Sequence, residues 1–493
     1  MKIIRIHELD NVAVALEDIR SGETVEAGDL KISVMQDIPR GHKLALTAIA
    51  DGEAVVKYGY RIGCATKDIP AGAHVHTHNV KTTLSGEAQY IYEPVSSPVC
   101  KAAKRTFMGY RRTKGKVGIR NELWIIPTVG CVNSIAQRLA KENQELVKGS
   151  VEGLYAWTHP FGCSQLGDDH ETTKKVLAAL VQHPNAGGVL VLSLGCENLT
   201  SQQFKEALRE WNGDRVKFLT CQESEDETAE GKRLLRELAE YAGSFSREEI
   251  DASELIIGMK CGGSDGLSGI TANPVVGRFS DRMIAMGGST VLTEVPEMFG
   301  AESVLFNRCV DAETFDRAVS MVDNFKQYFI SHGQVVYENP SPGNKAGGIT
   351  TLEDKSLGCV QKGGSAPVVD VLEYAEPVTR KGLSLLSGPG NDMVSTTDLT
   401  AAGAHMILFT TGRGTPFGAP APTVKISTNT ALFEKKGSWI DFNAGTVAEG
   451  IESTDEAADR LLELVLETAS GRRTRQEEGD CREISIFKDG VTL

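Results

Sequence analysis

The sequence predicts a small all-β domain followed by α/β domains with mostly parallel sheets, and three observations predict it. Short β-like segments broken by glycine turns fill the first 95 residues, with no helical periodicity among them. From residue 117 onward the texture becomes strand, turn and helix, repeated. Between the two, residues 96–116 mix Pro, Ser and basic residues without any apolar period, as a linker does.

The elements follow in order. "KIIRIHE", "NVAVAL", "LKISVMQ", "HKLALTAI", "AVVKYG" and "HVHTHNV" read as strands, punctuated by Gly22, Gly28, Gly41, Gly52, Gly63 and Gly72. This is the first domain, residues 1–95. In the α/β domain, 117–250, "LWIIPTVGC" leads into the helical "NSIAQRLAKENQELVK". "LYAWTHPFGC" leads into "HETTKKVLAALVQH", with Asp168 and Asp169 at the amino end, where the helix dipole favours acids. "GVLVLSLGC" and "VKFLTC" each precede a further amphipathic helix. A second α/β domain, 251–493, opens with "LIIGMKCGGSDGLSG" and ends in the amphipathic "TDEAADRLLELVLETASG" and a short tail.

Composition narrows the function classes. The chain has 493 residues, 41% hydrophobic and 24% charged, and a net charge of −14. That charge leaves no basic excess to neutralise phosphates, so nucleic acid is not an expected partner. The apolar stretches are too short to span a bilayer, and "MKIIRIHELD" has neither the apolar core nor the cleavage site of a signal peptide. A cytoplasmic location without membrane association is expected. Ten cysteines with no C-x-x-C pair are free thiols rather than a disulfide framework or a zinc ribbon. No G-x-G-x-x-G follows a strand and no P-loop motif occurs, which counts against dinucleotide and nucleoside triphosphate chemistry.

The thiols carry the strongest pattern. Cys131, Cys163 and Cys196 each follow a Gly at the end of an apolar run and lie 32 (163 − 131) and 33 (196 − 163) residues apart. That is about one βαβ unit of roughly 30 residues. Parallel strands end along one edge, where open α/β sheets bind ligands, so the three thiols are expected to converge there. Cys261, ending a strand of the second block, is a fourth candidate and Cys221 a weaker fifth. Clustered thiolates suit iron and iron–sulfur clusters. Other polar groups expected at the strand ends are His159, Asp168, Asp169, His170, Glu197, Asn198, Ser264, Asp265, Asn273, Glu294 and Glu297. The segment 338–358 carries Asn344, Lys345, Glu353 and Lys355 and reads as a loop too rich in Gly and Pro for a helix. The glycines around Arg413 let backbone N–H groups approach an anion. In the first domain, His74, His76 and His78 stand at i, i+2 and i+4, one face of a strand, and form a rival metal site. His42 and Lys43 add a basic pair.

Taken together, "RGHKLAL", "HVHTHN", "VGIRNELWIIPTVGCVN", "HPFGCSQLGDDH", "SLGCEN", "KCGGSDGLSGITANPVVGRFSD", "TEVPEMFGAE", "YENPSPGNKAGGITTLEDKSLG" and "LFTTGRGTPFG" resemble the altronate/galactarate dehydratase family of sugar-acid hydro-lyases over nearly the whole chain. The triple-His stretch resembles the altronate branch more than the galactarate branch. The resemblance implies a β-clip, SAF-type first domain, a Rossmann-like C-terminal domain, a ferrous-iron requirement and a homodimer. For the altronate branch it implies loss of water from D-altronate to give 2-dehydro-3-deoxy-D-gluconate in hexuronate catabolism.

That chemistry needs a base for the C2 proton and a cation to disperse charge on the carboxylate. The expected metal ligands are Cys131, Cys163, Cys196 and Cys261. Lys345 or His159 is the expected base, and His42, Lys43, Ser264, Asp265, Asn344 and Arg413 are expected to hold the substrate. Iron nuclearity stays open at this point. A nicotinamide-dependent oxidoreductase and a non-catalytic sugar-acid sensor are the other classes the architecture allows; a related acid such as galactarate is the nearest alternative substrate.

Overall fold

The computed structural model describes residues 2–84, 89–97, 99, 101–113, 115–490 and 492. Among the described residues no helix is long and apolar enough to cross a membrane.

The N-terminal domain is built from short antiparallel strands. Strand β1 (Val12–Ala15) pairs with β2 (Lys43–Ala45), and a second sheet joins β3 (Ala54–Lys57), β4 (Tyr60–Ala65) and β6 (Val80–Lys81). Strand β5 (His74–Val75) pairs with β2, setting Leu44 opposite His74. The expected strand through "HVHTHN" stops at Val75. Asn79 accepts from the His76 N–H at 2.9 Å and donates to the His74 carbonyl at 2.9 Å, closing a turn where the strand would have continued. His74, His76 and His78 therefore do not share a strand face.

The middle domain is a parallel sheet in the order β8-β7-β9-β10, formed by β7 (Glu122–Pro127), β8 (Gly153–Ala156), β9 (Ala186–Ser193) and β10 (Val216–Thr220). Helices α1 (Asn133–Glu142), α2 (Gly167–Val181), α3 (Ser201–Leu208) and α4 (Glu227–Gly243) connect and cover it. Trp124, Ile126, Val189 and Val191 enter one apolar cluster; Leu123, Ile125, Leu190 and Leu192 enter another. Both faces of β7 and β9 are covered, which is why their sequences are continuously apolar.

Part of the expected linker is structured. Thr106–Arg111 is a strand pairing antiparallel with Glu248–Asp251, and Arg111 meets Glu248 at 2.6 Å. The basic segment and the acidic segment near residue 250, each featureless alone, complement one another.

The C-terminal domain carries a seven-stranded parallel sheet in the order β13-β14-β12-β11-β15-β16-β17. The strands are β11 (Ile256–Cys261), β12 (Ser289–Leu292), β13 (Val368–Leu372), β14 (Leu383–Leu386), β15 (Met406–Thr411), β16 (Thr423–Ser427) and β17 (Phe442–Asn443). Its helices include α5 (Ala272–Ala285), α6 (Ala312–Ser331), α9 (Asp392–Ala401) and α10 (Thr454–Ala469). The segment 338–358, expected as a loop, holds two short helices, α7 (Pro342–Ala346) and α8 (Leu352–Cys359). Ser341 caps the first and Thr351 the second, and Pro342 opens α7 where its missing N–H costs nothing.

The two parallel sheets touch by their strand starts. Asn185 donates to the His405 carbonyl at 3.0 Å, and buried Arg120 and Arg482 pair with Glu477 and Glu122 at 2.7 and 2.8 Å. The carboxyl ends of both sheets are left free of that contact.

Candidate active site

The N-terminal domain docks against the carboxyl end of the large sheet, and glycines make the approach close. Gly41 has φ +81°, and a Cβ on Gly266 or Gly348 would stand 1.9 or 2.2 Å from its carbonyl oxygen. This backbone-to-backbone seam brings His42 onto α7, its Nε2 3.3 Å from the Ala346 carbonyl, and His76 Nδ1 to 3.2 Å from Thr350 Oγ1. His42 Nδ1 is 3.0 Å from His74 Nε2. The ring centroids of His42, His74 and His76 are 4.8–5.6 Å apart; His78, the third histidine expected there, is exposed and reaches only His74. Burial, reinforced by the neighbouring imidazoles, lowers His74 to about 3; burial and Lys43 lower His76 to about 4. Both rings are neutral at neutral pH, the state in which imidazole binds metal.

A buried ion triad anchors the seam. Asp354 of α8 accepts from Lys43 at 2.8 Å and Lys57 at 3.0 Å. Burial alone would raise the Asp354 carboxyl, but the two ammonium groups hold it far below the usual range. Burial lowers Lys43 to about 8, against the pull of Asp354. Lys43 thus supports the seam from beneath instead of reaching a ligand.

Around α7 most of the expected substrate-binding groups converge. Asn344 donates to the Ser264 carbonyl at 2.8 Å, and Arg413 reaches the Gly343 carbonyl at 3.5 Å. Asp265 accepts from Thr428 and Ser268 at 2.9 and 3.1 Å, and burial raises its carboxyl. Lys345 is half-buried and makes no ion pair among the described residues. Arg40, which sequence reasoning passed over inside "PRGHK", lies close enough to act on Asp265, and its Nε is buried without a hydrogen-bond partner. An anion entering this seam finds two guanidinium groups, one amine and three imidazoles.

Below the seam is a nest of charges and thiols. Cys261, Glu297 and Cys359 have ligand atoms all within 4.8 Å of one another, the one such group among the described residues. Two thiols and a carboxylate have the donor chemistry of a metal site. Here, however, they are already satisfied. Lys362 donates to Cys261 Sγ at 2.9 Å, Lys355 pairs with Glu297 at 2.7 Å, and Lys260 pairs with Glu294 and Asp392 at 3.2 and 2.5 Å. Three ammonium groups balance three carboxylates. Burial would raise Glu297, but Lys355 and Lys362 pull it down to about 2, while burial and the charge of Glu297 raise Glu294. Cys359 went unnoticed in the sequence, although Ser-Leu-Gly-Cys occurs at both 193–196 and 356–359; it ends a helix rather than a strand.

The remaining expected residues lie elsewhere. Cys131, Cys163 and Cys196 are all exposed, at the carboxyl ends of the adjacent strands β7, β8 and β9. Cys261 does not join them, because it is buried in the nest. His159 is buried, with Nε2 2.8 Å from the Pro127 carbonyl and Nδ1 accepting from the Phe161 N–H at 3.2 Å. Backbone takes both ring nitrogens, so His159 holds a loop and has none free for proton transfer.

Comparison with known proteins adds an independent finding. Residues 1–83 match the altronate/galactarate dehydratase SAF domain, 109–243 the D-galactarate dehydratase/altronate hydrolase second domain, and 252–492 the D-galactarate/altronate dehydratase C-terminal domain. The chain is 54% identical to altronate dehydratase of Bacillus subtilis (strain 168), covering 99% of each chain. It is 54% identical to altronate dehydratase of Escherichia coli (strain K12), covering 100% of each. Galactarate dehydratase (L-threo-forming) of Escherichia coli (strain K12) is 32% identical over 95% of this chain and 93% of that one.

Proposed function

The chain belongs to the altronate/galactarate dehydratase family, and on that premise we propose that it removes water from D-altronate to give 2-dehydro-3-deoxy-D-gluconate. The observation that carries the site assignment is the convergence of Arg40, Arg413, Lys345 and three neutral imidazoles on one seam.

The sugar acid's carboxylate binds Arg413 and the free Nε edge of Arg40, which fixes C2 beside α7. The unpaired Lys345 amine takes the C2 proton. Asp265, whose carboxyl burial raises above the ordinary value, is assigned as the group that protonates the C3 hydroxyl as it leaves as water. The resulting enol tautomerises to the 2-oxo acid. Asn344 holds the turn of α7 through its Ser264 contact, so it positions Lys345.

The imidazoles of His42, His74 and His76 at the wall of the seam would hold ferrous iron once the 3.0 Å contact between His42 Nδ1 and His74 Nε2 gives way to it. When bound there, iron supplies Lewis-acid stabilisation of charge on the carboxylate.

Anaerobic assays with ferrous iron test the proposal. Wild-type protein is expected to convert D-altronate faster than galactarate. Lys345→Ala should lower kcat by about 10²–10⁴-fold, the range for a lost general base, and abolish exchange of the C2 proton with solvent. Preference for galactarate overturns the substrate assignment; wild-type C2 exchange in Lys345→Ala overturns the base.

A further inference from the structure

We propose that Cys131, Cys163 and Cys196 hold an iron–sulfur cluster through three thiolates, at the rim of the middle domain, with one iron left without a protein ligand. The inference goes beyond the seam and its imidazoles, and stands on geometry elsewhere in the molecule.

Free cysteine is among the most buried residue types. Among the described cysteines four are buried and two are half-buried; the three exposed ones are these three. They sit on three loops that follow neighbouring parallel strands and are stitched to one another. The Gly130 N–H donates to the Phe161 carbonyl at 2.9 Å, the Leu199 N–H to the Gly162 carbonyl at 3.1 Å, and the Ser164 N–H to Asn198 Oδ1 at 2.8 Å. The Cys163 loop is thereby bonded to both of the others.

The neighbours of each thiol are spent on building the loops. Glu197, beside Cys196, turns inward to accept from Thr128 Oγ1 at 2.8 Å and from the Gly195 N–H at 2.6 Å. His159 props the Cys163 loop, and Asn133 bonds the His159 carbonyl at 2.8 Å. Gly162, at φ +98°, is pressed so tightly that a Cβ would lie 1.9 Å from the Thr128 carbonyl oxygen, and Ser164 is held at φ +58°. Strained backbone surrounds the sulfurs, as at ligand sites. The three cysteines stay exposed, with only Gln222 Nε2, donating to Cys196 Sγ at 3.5 Å, and Ser164 Oγ, 3.9 Å from Cys163 Sγ, against the sulfurs among the described residues.

Spacing counts against a single ion. The three sulfurs do not all lie within 4.8 Å of one another, since the one group that does is in the nest. A single tetrahedral ion with metal–sulfur bonds of about 2.3 Å draws its sulfurs to about 3.8 Å. A cluster of several iron and sulfide atoms spans a wider opening, and thiolate is its usual ligand.

Anaerobic reconstitution of the full chain with ferrous iron and sulfide tests this by iron and acid-labile sulfide content and visible absorbance. Wild-type protein is expected to retain labile sulfide with a broad visible band. Cys131→Ser, Cys163→Ser and Cys196→Ser should each lose most of both, while Cys481→Ser keeps them. Thermal unfolding of the apo variants should match wild type, which separates ligand loss from misfolding. Iron without sulfide in the wild type, or full sulfide in the three rim variants, overturns the cluster. A His74→Ala protein that keeps its sulfide but loses turnover marks the seam as a separate site; altronate inactivity with sulfide intact would count against the proposed reaction alone.

Discussion

The rim of the middle domain and the nest of the C-terminal domain use the same residue at the same kind of place and treat it oppositely. Cys196 and Cys261 both end a parallel strand beside acidic groups. At the rim the carboxylate of Glu197 turns in to hold the loop and the sulfur turns out. In the nest Cys261 is closed over by Glu297, Cys359 and Lys362, with every charge paired. The position at a strand end therefore places a thiol near a site, but the surrounding charges decide whether it is available to a ligand.

The sharpest way to break this comparison is to unbalance the nest. Lys362→Met leaves Glu294, Glu297 and Cys261 short of a buried cation, and thermal unfolding should show a loss of about 3–5 kcal/mol. A loss below about 1 kcal/mol would mean that the nest is not the closed ion network described, because surface pairs contribute no more than that.

A second measurement addresses the join between the two sheets. Burial lowers His405 to about 4, below the ordinary value of about 6.5 in an unfolded chain. The native state disfavours the proton, so its contribution is fully present above pH 6.5 and is lost as pH falls toward 4. The difference corresponds to roughly 3 kcal/mol. Denaturant unfolding between pH 7 and 4.5 should show a slope to which His74 and His76 also contribute, and His405→Gln should reduce it by roughly this share.

The smallest effect is expected at the rim. Apo Cys131→Ser should unfold within about 0.5 kcal/mol of wild type, as an exposed side chain without partners does. A larger shift would show that the rim thiol is structural and bring the two regions closer in kind.

The placement of the three thiols at neighbouring strand ends was legible in the sequence because a period of about one βαβ unit is written into it: three Gly-Cys pairs at intervals of 32 and 33 residues. Ser264 and Asp265 were named from a strand end, Asn344 and Lys345 from a Gly- and Pro-rich loop, Arg413 from a glycine-flanked turn and His42 from the first domain, and the structure brings them to α7. The nest was mostly hidden. Lys260 and Lys362 look like solvent-facing lysines until the fold supplies carboxylates for them, and pairing between distant segments leaves no local period. The helices α7 and α8 were obscured by Gly and Pro, although Ser341-Pro342 is itself a helix-start signal. The histidine turn was misjudged because alternation alone cannot reveal that Asn79 will bond back to His74 and His76. His42 enters their cluster through strand pairing across 32 residues (74 − 42).

The back-to-back join of the two parallel sheets carries a broader consequence. Asn185, His405 and the buried arginine pairs bind the two α/β domains at the starts of their strands, so this joint does not depend on the loops at the strand ends. Side chains exchanged in the loops at the opposite ends leave that joint untouched. Such a scaffold lets substrate preference drift over generations while its framework stays fixed.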